Sequence, residues 1–153
     1  VRQWAGRPDG ATGSAEGGKE VGIGVAGYET SCNGIVHFNE YIRARAVNFV
    51  KPDVAWGGGL TETLKIAHLA QAANLPIAPH IHGSAVAVAA AVHLLGAVRN
   101  GSMAETVYPA HALMNELVKE PLLVDRKGDI TLTERPGLGI ELDAKVLKKY
   151  RVK

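Results

Sequence analysis

Apolar and polar positions repeat in one unit from residue 21 onward. Each unit contains a short apolar run, one ionisable residue at the end of that run, and then a stretch with apolar positions at helical spacing. The apolar runs predict strands at 21–28, 46–50 and 76–79, and a short fourth strand around 102–107. Because only short links separate the strands from the helices, the pattern predicts parallel strands joined by right-handed crossovers.

Three helices are predicted between these strands. The first covers 35–44 and places its apolar residues on one face. The second has Thr61 as its N-cap and ends at Asn74, a residue that commonly stops helices. The third follows Ser84, is rich in small residues and runs to about residue 98. The chain is therefore expected to have an α/β fold.

One ionisable residue follows each predicted strand at nearly constant spacing. These residues are Glu29, Asp53, His80 and Glu105, at intervals of 24, 27 and 25 residues. This is about the length of one βα unit in a (β/α)₈ barrel, where polar residues at the carboxyl ends of the strands converge on one active site. A complete barrel needs about 250 residues, so the chain is expected to form its C-terminal half, of about four units. A smaller open sheet would bind a ligand at the same strand ends.

The two ends of the chain differ from this repeat. Residues 1–20 contain five glycines and few large apolar side chains, which predicts a flexible arm or a loop held by a partner chain. Residues 21–109 are the predicted partial barrel. Residues 110–153 are expected to form a C-terminal extension that packs on another domain, with a short helix at 113–119 and a closing helix at 144–150.

Composition narrows the possible partners. The 17 basic and 15 acidic residues give a net charge of +2 without a basic run, which argues against nucleic acid and membrane surfaces as partners. Cys32 is the single cysteine, which excludes an internal disulfide. The longest apolar run, 85–92, is far shorter than the roughly 20 residues that span a bilayer. Without a basic-then-apolar start, a cytoplasmic protein is expected.

Three stretches together resemble a known family. They are AVNFVKPDVAWGGGLTETLKIAHLAQAANLPIAPH at 46–80, AVHLLGAVRNGSMAE at 91–105, and GDITL followed by PGLGIELD within 128–143. The chain resembles, over about 21–152, the C-terminal part of an enolase-superfamily enzyme of the mandelate racemase/muconate lactonizing enzyme family. Within that family it is most similar to the mandelate racemase subgroup, which includes acid-sugar dehydratases.

The resemblance implies a role for each strand-end residue. Glu29 matches the third carboxylate ligand of a Mg²⁺ ion, although Tyr28 stands between it and the Ala-Gly that usually precedes this ligand. Asp53 and His80 match a catalytic dyad, and Glu105 matches a residue that hydrogen-bonds the substrate. The other two metal carboxylates and a lysine that often serves as a second base would precede residue 21, and residues 1–20 do not supply them.

The implied reaction removes a proton next to a carboxylate of a sugar acid or hydroxy acid and forms an enediolate, leading to dehydration, racemisation or epimerisation. Such a proton is weakly acidic, so the reaction needs a base matched to the working pH and stabilisation of the developing negative charge. His80 is the expected base, and Asp53 would fix its tautomer and raise its pKa. Glu105, if an apolar site kept it protonated, would donate a hydrogen bond to the substrate carboxylate.

Other interpretations remain open for the same residues. Asp53 and His80 could be structural, and Glu29 and Glu105 could be solvated loop residues. The chain could also be a non-catalytic fragment that is inactive alone and self-associates through open strand edges, so a homo-oligomer is expected. A third hypothesis is a metal-dependent hydrolase that uses the pair His80 and His82.

Overall fold

A computed structural model describes residues 22–29 and 34–152, together with the backbone of residues 2–4. Within these ranges the structure contains three short strands and five helices. In chain order they are β1 (Arg2–Trp4), β2 (Val25–Gly27), α1 (Gly34–Arg43), β3 (Phe49–Val50), α2 (Gly59–Ala72), α3 (Ala85–Ala97), α4 (Ala112–Asn115) and α5 (Ala144–Lys149).

The strands lie side by side in chain order and are all parallel. The sheet has the order β1–β2–β3, with Ala26 of β2 opposite Phe49 of β3. Isolated parallel bridges continue the same order, from Val50 to Ile77 and from Ile77 to Gly101. Five neighbouring segments therefore follow the sequence, which is the arrangement of consecutive βα units in a barrel. This agrees with the predicted parallel α/β architecture.

Regular strand structure is shorter than predicted. The predicted strand 46–50 is reduced to β3. The predicted strand 76–79 pairs through isolated bridges at Ile77, and a further bridge lies just beyond its end at His80. The predicted strand around 102–107 pairs only at its start, where Gly101 bridges Ile77 and the Ser102 N–H donates to the Ile77 carbonyl, and residues 103–107 are irregular. Apolar runs identify buried segments, but they do not determine how many residues of each segment form ladder hydrogen bonds.

The core lies between the helices and the strand segments. Its largest fully buried side chains include Phe38 of α1, Ile66 of α2 and Leu94 of α3. Ile77, in the segment that pairs with Val50, is also fully buried. Alanines at the helix contacts keep the layers close, among them Ala67 of α2. Burial of these side chains supplies most of the driving force for this arrangement.

The turn from β3 into α2 depends on its glycines rather than on a side-chain cap. The predicted N-cap Thr61 was wrong, because α2 begins at Gly59 and Thr61 lies inside its first turn. The backbone winds directly after the strand, with Gly57 N–H donating to the carbonyl of Asp53 at 2.7 Å. A Cβ at Gly57 would lie 2.8 Å from that carbonyl oxygen, and Gly58 has a φ of 100°. Both positions therefore favour glycine.

The C-terminal segment contains little regular structure. Helices α4 and α5 are short, and an antiparallel bridge joins Val118 to Leu142. Its helix after residue 110 covers Ala112–Asn115 rather than the predicted 113–119, whereas α5 lies within the predicted 144–150. The idea that this segment packs on another domain stays a prediction.

The structure describes only part of the N-terminal segment. Residues 1–20 were expected to form a flexible arm, yet the backbone of Arg2–Trp4 forms β1 and pairs with β2. The remainder of that prediction, at residues 1 and 5–20, lies outside the described residues. In the described part of the chain, each helix is too short or too polar to cross a membrane.

Candidate active site

Asp53 and His80 meet at the carboxyl ends of two neighbouring parallel segments. The two residues are bridge partners, and the His80 N–H donates to the carbonyl of Pro52 at 3.0 Å. Side chains of paired residues on adjacent parallel segments lie next to each other. Here His80 Nδ1 lies 2.8 Å from Asp53 Oδ2, so the structure brings together the two residues that the sequence proposed as a dyad.

The Asp53 carboxylate is fixed from its other side by backbone donors. Its Oδ1 accepts hydrogen bonds from the N–H groups of Ala55 at 2.7 Å and of Trp56 at 3.0 Å. Aspartate commonly organises a turn by accepting from backbone groups two or three residues ahead. The turn that leads into α2 therefore also orients the carboxylate toward His80.

Opposing effects act on the pKa of Asp53. Burial, the largest single influence, raises it, but hydrogen bonds from His80, Trp56 and Ala55 together outweigh burial and hold the pKa below its ordinary value. Each of these donors stabilises the ionised carboxylate. Asp53 is therefore an anion at neutral pH, and an anion can only accept the hydrogen bond that it shares with His80.

The same contact raises the pKa of His80 above its ordinary value. The hydrogen bond to Asp53 has the largest influence, burial opposes it, and the negative charge of Glu105 adds to the increase, while the positive charge of Lys51 reduces it. Since the carboxylate accepts, Nδ1 carries the hydrogen and Nε2 is the nitrogen that gains or loses a proton. The His80 side chain is 19% exposed, which leaves it reachable at the edge of the core.

Glu105 contacts Lys51, a buried lysine that sequence reasoning missed. Lys51 Nζ is 2.6 Å from the Glu105 carboxylate, and the Lys51 side chain is only 9% exposed. Lys51 precedes Asp53 by two residues in an extended segment, and alternate residues of such a segment face the same side. That spacing was the available signal in the sequence.

The environment of Glu105 differs from the expected apolar one. The ammonium group of Lys51 lies 2.6 Å from its carboxylate, and the Glu105 side chain is 33% exposed. The role of Glu105 as a hydrogen-bond donor to a substrate carboxylate stays a prediction.

Glu29 follows β2 at the same edge of the sheet and is buried. Tyr28, the residue that interrupts the expected Ala-Gly-Glu order, has a φ of 75° and stacks on Tyr41 with ring centroids 3.4 Å apart. Burial and the neighbouring Tyr41 raise the pKa of Tyr28 to about 12. The additional residue thus places its ring against α1 and lets the chain turn before Glu29.

A metal ion does not fit the side chains that the structure describes. Among residues 22–29 and 34–152 there is no group of three or more His, Cys, Asp or Glu side chains placed to hold a metal. Magnesium requires several oxygen ligands in near-octahedral geometry, and Glu29 alone does not provide them. The expected Mg²⁺ therefore has one candidate ligand, Glu29, among the described residues.

The histidines proposed for a metal hydrolase stack on each other. The rings of His80 and His82 are 6.0 Å apart between centroids and nearly parallel, at 9°. The ring of His111 follows at 6.3 Å from His82. A metal shared by two imidazoles needs their in-plane lone pairs to point to one atom, and stacked rings do not provide this. The geometry gives the hydrolase hypothesis no support.

Comparisons with known proteins show what the chain is similar to. A sequence model of the family described as "Enolase C-terminal domain-like" matches residues 7–146. Arabinonate dehydratase of Saccharolobus solfataricus is 31% identical over 140 residues, covering 92% of this chain and 37% of that protein. D-galactarolactone cycloisomerase of Agrobacterium fabrum is 32% identical over 140 residues, covering 85% of this chain and 36% of that protein.

A solved structure has the same fold over nearly all of the chain. It is a mandelate racemase/muconate lactonizing enzyme-like protein from Rubrobacter xylanophilus, with a TM-score of 0.83 and 34% identity. The similarity covers 99% of this chain and 38% of that one. The chain thus spans little more than a third of the length of the relatives that it matches.

Proposed function

Because this chain belongs to the enolase C-terminal domain-like family, we propose that it supplies the proton-transferring part of an active site for small sugar acids. The reaction starts with removal of the proton from the carbon next to the substrate carboxylate. Similarity to arabinonate dehydratase and to D-galactarolactone cycloisomerase supports a sugar acid or its lactone as the substrate class.

The contact between Asp53 and His80 carries this proposal. In the described part of the chain, Asp53 is the hydrogen-bond partner of the His80 side chain, and it occupies Nδ1, so Nε2 is available to a substrate. A histidine held by a carboxylate is a general base whose imidazolium form the carboxylate stabilises. Both residues are on adjacent strand ends, where active sites of barrel enzymes lie.

The proposed proton transfer follows from this geometry. His80 Nε2 accepts the α-proton, and the C–H electron pair moves toward the substrate carboxylate to form the enediolate. Asp53 keeps the hydrogen on Nδ1 and stabilises the imidazolium. In a dehydration, the imidazolium returns that proton to the hydroxyl on the neighbouring carbon, which leaves as water. In a racemisation or epimerisation, a proton returns to the α-carbon instead. The relatives include a dehydratase and a cycloisomerase, so both kinds of outcome belong to the proposal.

Exchange of the α-proton tests the proposal directly. The chain is incubated in D₂O with arabinonate, and loss of the α-proton signal is followed by NMR. General bases typically contribute at least about 100-fold to such a step, so His80→Asn is expected to reduce exchange by at least about 100-fold. His68→Asn, on the exposed side of α2, is the matched control and is expected to leave exchange unchanged. Equal exchange in the unmodified chain and in His80→Asn would contradict the proposal.

A second candidate function follows from what the described residues lack. The chain spans 37% of the length of arabinonate dehydratase, and its described residues form no metal-holding group. In this alternative the chain is a non-catalytic fragment that self-associates through open strand edges. This alternative predicts no exchange in the unmodified chain, no micromolar Mg²⁺ binding by calorimetry, and dimers or larger species in sedimentation. Micromolar Mg²⁺ binding by the chain would contradict it.

A further inference from the structure

Lys51 is buried in a way that distinguishes it from the other ion-paired lysines of the described chain. Its side chain is 9% exposed, whereas those of Lys65, Lys119 and Lys149 are 57%, 55% and 59% exposed. Lysine is seldom buried unless it is paired, because loss of hydration is costly for an ammonium group. The contact with Glu105 therefore compensates for the burial of Lys51.

The lysine connects two segments that lie on either side of His80. Lys51 extends from the segment that continues β3, and Glu105 follows the segment paired at Gly101. The intervening segment, paired to both through Ile77, carries His80. The ion pair thus links the outer two of three neighbouring strand ends across the segment that carries His80, and the negative charge of Glu105 acts on the imidazole.

We propose that Lys51 is a positioning residue that holds the ionised Glu105 carboxylate beside His80. An ionised carboxylate accepts a hydrogen bond, for example from a substrate hydroxyl, and cannot donate one. Its position also adds a second negative charge near His80, besides that of Asp53. The role of Lys51 in the reaction rests on the proposed function. Its effect on the position of the Glu105 carboxylate is measurable without turnover.

His80 reports on the position of Glu105 through its own titration. The charged or titratable groups that face it are Asp53, Glu105, Lys51 and the stacked ring of His82. The negative charge of Glu105 raises the pKa of His80, so its removal lowers that pKa. If Lys51 holds Glu105 in place, this effect of Glu105 depends on the presence of Lys51.

An NMR titration of the His80 ring, with and without Glu105→Gln in four backgrounds of the chain, tests this dependence. Glu105→Gln is expected to lower the His80 titration midpoint by about 0.5 pH unit. In the Lys51→Met background the same Glu105→Gln change is expected to shift the midpoint by less than half as much. In the Lys51→Arg background, which keeps the charge, the full shift is expected. Lys65→Met, which removes an exposed pair with Glu62, is the matched control background and is expected to keep the full shift.

Two results would overturn the inference. One is an unchanged effect of Glu105→Gln in the Lys51→Met background, which would mean that Glu105 keeps its position without the lysine. The other is no effect of Glu105→Gln in the unmodified chain, which would mean that Glu105 does not influence His80. If Lys51→Met does not fold, Lys51→Gln replaces it with the same expectations. The midpoints do not depend on turnover, so a failure of α-proton exchange overturns the proposed function while this result stands.

Discussion

The strand-end region (residues 22–109) and the C-terminal segment (residues 110–152) of the same chain differ in the burial of their charged residues. Between residues 22 and 109 the structure buries Glu29 at the end of β2, and Lys51 and Asp53 at the end of the next strand, β3. Between 110 and 152 its ion pairs, such as Lys149 with Glu116, lie on the surface. Burial of an ionisable group is costly unless it is paired and hydrogen-bonded. The described chain buries such groups at one edge of the sheet, where we propose that the proton transfer takes place.

The two regions also differ in how their apolar residues are used. In the first region, side chains such as Ile66 have no exposed surface and belong to one large cluster. In the second, Leu147 and Tyr150 remain substantially exposed, and the buried cluster there is small. The strand-end region therefore has the rigidity that a preorganised site needs, whereas the C-terminal segment contributes less to stability.

The largest expected effect follows from this difference in burial. Ile66→Ala removes a fully buried side chain and is expected to lower the free energy of unfolding by about 3 kcal/mol. Leu147→Ala, at a side chain that is 45% exposed, is expected to lower it by less than about 1 kcal/mol. Urea unfolding followed by circular dichroism measures both. Equal losses would show that the two regions are not distinct.

The next effect concerns the dyad. Asp53→Asn removes the charge that orients and stabilises the His80 imidazolium, so α-proton exchange is expected to fall by about 100-fold. Asp125→Asn is the matched control, because Asp125 also accepts backbone hydrogen bonds in a turn but lies in the C-terminal segment. Exchange in Asp125→Asn is expected to stay at the level of the unmodified chain. Similar losses in both variants would indicate a general effect on folding.

The pH dependence of stability depends on the interaction between Asp53 and His80. The raised pKa of His80 contributes stability below about pH 6.5, and this contribution is lost as the pH rises through the folded-state pKa. The lowered pKa of Asp53 contributes above about pH 4, and this contribution is lost as the pH falls through its folded-state pKa.

The dyad therefore stabilises the fold most between about pH 4 and 6.5. The difference in unfolding free energy between the unmodified chain and His80→Gln is expected to be larger at pH 5.5 than at pH 8.5, measured by urea unfolding. A difference that is constant over this range would contradict the assigned interaction.

The smallest effect is expected at the surface. Lys149→Met removes the exposed contact with Glu116, and exposed pairs contribute little because water and salt screen them. The midpoint of urea unfolding is expected to stay within error of that of the unmodified chain. Lys51→Met, which leaves Glu105 without its buried partner, is expected to cost about 1–2 kcal/mol. A larger loss in Lys149→Met than in Lys51→Met would reverse the comparison.

The sequence predicted the family and the general fold well. The resemblance to the C-terminal part of an enolase-superfamily enzyme is confirmed by the family match over residues 7–146. The half-barrel architecture is confirmed by the family and by the solved structures. The constant spacing of ionisable residues correctly predicted that Asp53 and His80 lie side by side, because neighbouring parallel strands bring equivalent positions together.

Other features depend on tertiary contacts that a single sequence does not display. Lys51 was missed because only the folded chain reveals that its ammonium group reaches Glu105 across the segment of His80. The N-cap at Thr61 was wrong because backbone bonds in a glycine turn start α2 earlier. The Mg²⁺ ion, the cytoplasmic location and the homo-oligomer stay predictions.

The interaction between Asp53 and His80 can be measured directly by a ¹⁵N NMR titration of the His80 ring. We expect a pKa above that of an ordinary histidine, a neutral form with the hydrogen on Nδ1, and a lower pKa in Asp53→Asn. A neutral form with the hydrogen on Nε2, or a pKa that Asp53→Asn leaves unchanged, would show that Asp53 does not hold the His80 ring.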